Sequence, residues 1–122
     1  MEVVAVIGAS NDSSRFSYKA MEMLEDYGHQ PIPIHPREET VRGHKVIHNL
    51  SELAGQSIDT MTVYVNQAIS DKYENDILLV RPKRVIFNPG AENPRLARIL
   101  IEKGIKVENA CTLVLLRTGQ YA

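Results

Sequence analysis

The sequence predicts an α/β fold: a doubly wound sheet of about five parallel strands with helices on both faces. Three observations predict it. Short apolar runs rich in β-branched residues recur along the chain, beginning with Val3–Ile7, and read as strands buried on both faces. Between them apolar residues return at helical spacing. Glycines, prolines and cap residues stand where one pattern gives way to the other. Strand and helix thus alternate, as they do in parallel sheets, and such sheets bind ligands at the carboxyl ends of their strands, near the switch point.

Val3–Ile7 is the first strand, closed by Gly8. After a polar loop, Phe16, Ala20, Met21, Leu24 and Tyr27 mark a helix face, with Gly28 at its C-cap and Ser17 as a candidate cap at its start. Pro31–Pro36 is a short extended segment, because proline favours β or polyproline geometry in itself and its predecessor. A charged loop and Gly43 come next, then an extended Val46-Ile47-His48 and a helical turn capped by Ser51. Thr60–Val65 is the third strand. Ser70-Asp71 opens a helix whose Tyr73, Ile77, Leu78 and Val80 face inward, and Pro82 stops it. Arg84–Phe87 is the fourth strand. Asn93-Pro94 pairs an N-cap with proline at the first helical position, Leu96, Ala97, Leu100 and Ile101 form the apolar face, and Gly104 ends that helix. Ile105–Val107 is the fifth strand, and Thr112–Leu116 reads as either helix or strand.

The 122 residues fit a single domain, 1–122. A formal net charge of −1 argues against a broad nucleic-acid surface. The apolar runs are too short to span a bilayer, and no targeting segment is read at the amino end. Cys111 is the one cysteine, so no intrachain disulfide forms and a reducing cytoplasm is the expected setting. No His/Cys cluster has metal-ligand spacing. An edge strand or the apolar Leu113–Leu116 offers a surface for a homodimer.

The strand ends carry the chemistry. After the first strand the chain reads Gly8-Ala9-Ser10, where a dinucleotide fingerprint would read Gly-x-Gly-x-x-Gly. Ser10 and Ser13 remove the glycines that let backbone approach a pyrophosphate, and supply hydroxyls instead. Arg15 adds a cation beside a helix amino end, which itself favours an anion. The same residues also suit a solvated polar turn. After the second strand, His35-Pro36-Arg37 stands where an NAD site carries an acid for the ribose hydroxyls. A cation there suits a phosphorylated ribose. The loop disfavours NAD and leaves NADP, coenzyme A, or no nucleotide. Asn88-Pro89-Gly90 is explained by turn chemistry, and its place on the same sheet edge keeps a binding role open. Cys111 reads first as a small buried hydrophobe, and as a nucleophile only if folding brings a base or cation to it.

Four stretches taken together, "VIGAS" with Arg15 and Lys19 downstream, "IPIHPREETVRGHKV", "FNPGAEN" and "ENACTLV", resemble the small single-domain coenzyme A-binding proteins. That family has a Rossmann-like fold related to the coenzyme A-binding domain of the succinyl-CoA synthetase alpha subunit. The resemblance implies that Gly8, Ala9, Ser10 and Arg15 approach the pyrophosphate, and that Pro36 and Arg37 lie near the adenosine 3′-phosphate with Gly43 shaping the turn beside them. It implies further that Val65 and Asn66 border the adenine or ribose, and that Asn88, Pro89 and Gly90 line the route toward the pantetheine. Cys111 matches the family's late cysteine. His35 stands in place of the family's usual Asn, Asn66-Gln67 in place of a Pro-Pro pair, and Asn88 where a longer side chain is common. The expected function is a non-catalytic or regulatory module whose small-molecule ligand is coenzyme A or an acyl-CoA. The alternatives are an acyl-CoA-dependent enzyme or fragment using Cys111, and an NADP-binding module.

Overall fold

Val3–Ile7 forms strand β1, and its pleat sends Val4 and Val6 to one face and Ala5 and Ile7 to the other. Both faces are covered, which is why the run is apolar without alternation. The computed structural model describes residues 1–122. After β1 come α1 (Phe16–Asp26), β2 (Gln30–Ile34), a hairpin of β3 (Thr40–Val41) and β4 (His44–Lys45), and a 3₁₀ turn at Leu50–Leu53. The second half holds β5 (Thr60–Val63), α2 (Gln67–Asp71), α3 (Glu74–Val80), β6 (Arg84–Phe87), α4 (Pro94–Glu102), β7 (Lys106–Asn109) and α5 (Thr112–Arg117). The main sheet is wholly parallel in the order β2-β1-β5-β6-β7, the doubly wound arrangement expected. Its switch point lies between β1 and β5, where the chain leaves in opposite directions along the sheet.

One core layer joins Ala5, Ile7, Met61, Val63, Val85 and Phe87 to α3, α4 and the 3₁₀ turn. The other joins Val4, Val6 and Ile86 to Met21 and Leu24 of α1, Leu116 of α5 and the hairpin's Val41. Register aligns Ile34, Ile7, Val63, Phe87 and Asn109 across the sheet. The residues just beyond them therefore emerge together on one edge. β2 carries Pro31 and Pro33, which an edge strand tolerates.

The structure revises several boundaries. β5 stops at Val63, and β7 runs Lys106–Asn109 rather than Ile105–Val107. The cap of the 3₁₀ turn is Asn49, not Ser51, and the Asn49 N–H donates to the Glu52 carboxylate at 3.3 Å. The helix expected from Ser70-Asp71 begins earlier: Asn66 Oδ1 accepts from Ile69 N at 3.0 Å and caps α2, and α3 starts after a break. Ser17 does not cap α1; it lies buried one residue inside, and the N-cap Arg15 makes no side-chain capping bond. Phe16 and Ile101 obey helical spacing yet are 66% and 60% exposed, and Phe16 lines two clefts rather than the core. Asn93 caps α4 as expected, accepting from Leu96 N at 3.0 Å, with Pro94 at the first helical position. The final apolar segment is the helix α5. No helix is long and apolar enough to cross a membrane.

Candidate functional site

The carboxyl edge of the sheet carries four adjoining clefts. The first, of about 400 Å³, is wholly polar and is lined by Asn11, His35, Arg37, Glu38, Glu39 and Thr40. The second, of about 280 Å³, joins Gly8, Ala9, Ser10 and Arg15 to His35, Pro36, Tyr64 and Val65. The third, of about 420 Å³, runs from Gly8 and Arg15 past Tyr64 and Asn66 to Pro89 and Gly90. The fourth is a more enclosed apolar chamber of about 120 Å³, formed by Phe16, Tyr64, Asn88, Pro89, Cys111 and Leu113. Shared residues join each to the next: His35, then Arg15 and Tyr64, then Phe16 and Pro89. Ser13 and Lys19 lie outside this run, and all but one of the residues expected to contact the ligand line it. The exception is Gly43, which forms the β3–β4 turn with Arg42, at φ 79° and 50°. That turn is held against α1 by Arg42, whose Nε donates to Glu25 at 3.2 Å and whose Nη1 donates to the Tyr18 hydroxyl at 3.1 Å.

Gly8 is required where it stands. It lies at φ 90°, and a Cβ there would meet Val65 Cγ1 at 2.8 Å, so β1 and β5 leave the sheet in close contact at the switch point. The N–H groups of Gly8 and Ala9 both donate to Ile34 O, at 3.1 and 3.2 Å. They fix the loop to β2. The capacity to hold an anion therefore falls to the loop hydroxyls, to Arg15 and to the α1 amino end, whose first N–H groups have no intrahelical acceptor and no side-chain cap. Asp12 lies in the same loop. Bonds from the Ser14 hydroxyl and N–H hold its carboxyl below the usual range, and it sits 3.9 Å from Arg15 on the exposed surface.

The loop after β2 is tied down at several points. His35 Nδ1 accepts from Arg37 N and Glu38 N, each at 3.0 Å. The family's Asn would supply a carboxamide oxygen for such a turn, and here the imidazole does so. Asn11 reaches from the first loop to donate to Glu38 Oε2 at 2.9 Å and Thr40 O at 2.7 Å. The Arg37 guanidinium is exposed and makes no ion pair.

Asn88, expected to border the pantetheine route, spends its side chain internally. It donates to Thr62 Oγ1 at 2.7 Å and to Val63 O at 3.0 Å, and accepts from Thr112 N at 2.9 Å. It pegs β6 to β5 and to the start of α5, and only its surface reaches the chamber. Tyr64 was not singled out from the sequence. It comes directly after β5 and lines three of the clefts. The nearby hydroxyls of Thr62 and Thr112 pair with each other at 2.8 Å, leaving Tyr64 Oη buried without a hydrogen bond. Burial pushes its phenol up to about 12. Cys111 is half-buried at the chamber wall.

A parallel sheet whose switch-point loops open onto a continuous cleft, charged at one end and apolar at the other, defines a nucleotide-binding domain of the Rossmann-like class. The chain belongs to the CoA binding domain family, whose model matches residues 2–117. It is similar to the acetate–CoA ligase (ADP-forming) II alpha subunit of Pyrococcus furiosus, 39% identical over 54 residues. That match takes in 43% of this chain and only 12% of the ligase subunit. An uncharacterised protein of known crystal structure superposes with a TM-score of 0.93 at 38% identity, covering 98% of both chains. The dinucleotide-forming acetyl-coenzyme A synthetase 1 of Ca. Korarchaeum cryptofilum, solved with phosphate and ADP, shares the fold with a TM-score of 0.72 at 22% identity. It is matched over 89% of this chain and 25% of its own.

Proposed function

We propose that this coenzyme A-binding module holds its ligand along the four clefts, nucleotide end at Arg37 and thiol end at Cys111, as a non-catalytic or regulatory element. One observation carries the reading: the run is polar at the β2 loop, where the Arg37 guanidinium stands unpaired beside Glu38 and Glu39, and apolar at the chamber beside α5. Coenzyme A has the same polarity from end to end. Arg37, free of carboxylate partners, suits the 3′-phosphate; Ser10, Arg15 and the α1 amino end suit the pyrophosphate. Asn66, Pro89 and Gly90 then border the pantetheine. The chamber offers no cation and its one amide is spent, so it suits a free thiol or a short uncharged acyl group better than a dicarboxylic one. At about 120 Å³ it is the smallest of the four clefts, which suits a short group.

Calorimetry with coenzyme A, dephospho-coenzyme A and NADP tests the reading. Binding is expected for the first two, tighter for coenzyme A, with NADP weaker than either. Binding of neither coenzyme overturns the site, and equal affinities overturn the role of Arg37 alone.

A further inference from the structure

We propose that His35 is a titratable positioning residue: its unprotonated Nδ1 holds the loop that presents Arg37, and protonation of the ring releases that loop and weakens the hold on the 3′-phosphate. The inference rests on the coenzyme A site proposed above.

β2 ends at Ile34, so His35 is the first residue of the loop. Pro36 has no N–H. The next donors, Arg37 N and Glu38 N, both turn back onto His35 Nδ1 at 3.0 Å. One ring lone pair thus serves two donors. Nδ1 is therefore the acceptor and the ring proton sits on Nε2. A second proton would place an N–H against two N–H groups. The carboxamide oxygen of an Asn can make the same turn and does not titrate in this range, so His at this position adds a response to pH that Asn lacks.

Residues 36 and 37 lie between this bond and the next anchors. His48 Nε2 donates to Glu38 O at 2.8 Å, Val46 N donates to Glu39 O at 3.0 Å, and Asn11 holds the Glu38 carboxylate. Those anchors begin at Glu38, which leaves His35 as the hold on Arg37 from the strand side. The charged groups around the ring are Arg37 and Glu38 on its own loop, His48 beyond β4, and Arg15 and Tyr73 across the second cleft, with Glu39 farther along the first. Burial lowers the affinity of His35 for a proton, Arg37 and His48 act in the same direction, and Glu38 opposes them. The ring is accordingly neutral at pH 7, as its two accepted hydrogen bonds require, and it takes up its second proton at lower pH than a free imidazole does.

The test compares the full chain with its His35→Asn variant, by calorimetry with coenzyme A and with dephospho-coenzyme A between pH 8 and pH 5. The ratio of their Kd values for coenzyme A at pH 8, where both proteins hold the loop through an uncharged acceptor, is the reference. On acidification the ratio of their Kd values should rise about fivefold against the wild type, the worth of a modest hydrogen bond. The ratio cancels the ligand's own phosphate titration near pH 6. With dephospho-coenzyme A it should stay flat. A constant ratio for coenzyme A, or an equal rise for both ligands, overturns the proposal while leaving the coenzyme A site standing. No binding by either protein at pH 8 overturns both. The wild type alone gives a second readout: the amide NMR signals of Arg37 and Glu38 should shift with the midpoint of the His35 ring. Signals indifferent to that titration overturn the proposal even if the variant fails to fold.

Discussion

The two edges of the sheet use similar residues to opposite ends. On the amino edge, Arg84 is 8% exposed and fully engaged: it bonds Thr60 Oγ1 at 3.1 Å, Glu108 at 3.0 Å and Tyr121 O at 2.7 Å, and stacks 4.5 Å from the Tyr121 ring centroid. Beside it, Val3 N and Lys83 both donate to Asp59, at 2.8 and 3.0 Å, and hold its carboxyl below the usual range. On the carboxyl edge Arg37 has no carboxylate within ion-pair distance, and Arg15 faces only an exposed Asp12 at 3.9 Å. Charges satisfied within the chain stabilise the fold. Charges left open on the carboxyl edge are those on which the coenzyme A site proposed above draws.

The contrast can be broken by moving substitutions between the edges. Arg84→Ala should have the largest effect: about 3 kcal/mol of stability lost in urea unfolding, since Glu2 and Glu108 lose their cation but keep some water, with coenzyme A affinity unchanged. A loss below about 1 kcal/mol would show that the amino edge is no more committed than the other. Gly8→Ala should cost about 1–3 kcal/mol through strain at φ 90° and the Val65 contact, and should weaken coenzyme A binding as well, because it pushes the switch-point loops apart. Arg37→Ala should weaken coenzyme A about tenfold by calorimetry, with the melting temperature and dephospho-coenzyme A affinity unaltered. Asp12→Asn should have the smallest effect, tightening coenzyme A about twofold by removing an exposed like charge from the pyrophosphate loop.

Much of this was legible in the sequence because a doubly covered parallel strand leaves an unmistakable apolar run, as in Val3–Ile7 and in Val85, Ile86 and Phe87. The hairpin at Thr40–Lys45 was not, since strands of two residues carry no periodicity. Asn66 and Ser70 are both reasonable caps by residue type, and only the tertiary break between α2 and α3 decides for Asn66. For the site, loop membership is readable from position after a strand, which is how Ser10, Arg15, Arg37 and Gly90 come to notice. What each side chain does there is not. Asn88 is committed to Thr62 and Thr112, which are distant in sequence. Tyr64 is hidden because it reads as the continuation of β5, although an aromatic residue just beyond an apolar strand was the available signal. His35 is visible as a departure from the family's Asn, but its two donors can be seen only once the loop is folded.

The suture of Gly8 and Ala9 N–H to Ile34 O, together with the bridge from Asn11 to Glu38 and Thr40, has a metric consequence. The loop after β1 and the loop after β2 are braced against each other by main-chain and amide bonds rather than by flexible ion pairs. They form a caliper of set opening. In the coenzyme A site proposed above, a ligand that bridges the two loops therefore meets two backbones at one separation, and only the Arg15 and Arg37 side chains adjust to it.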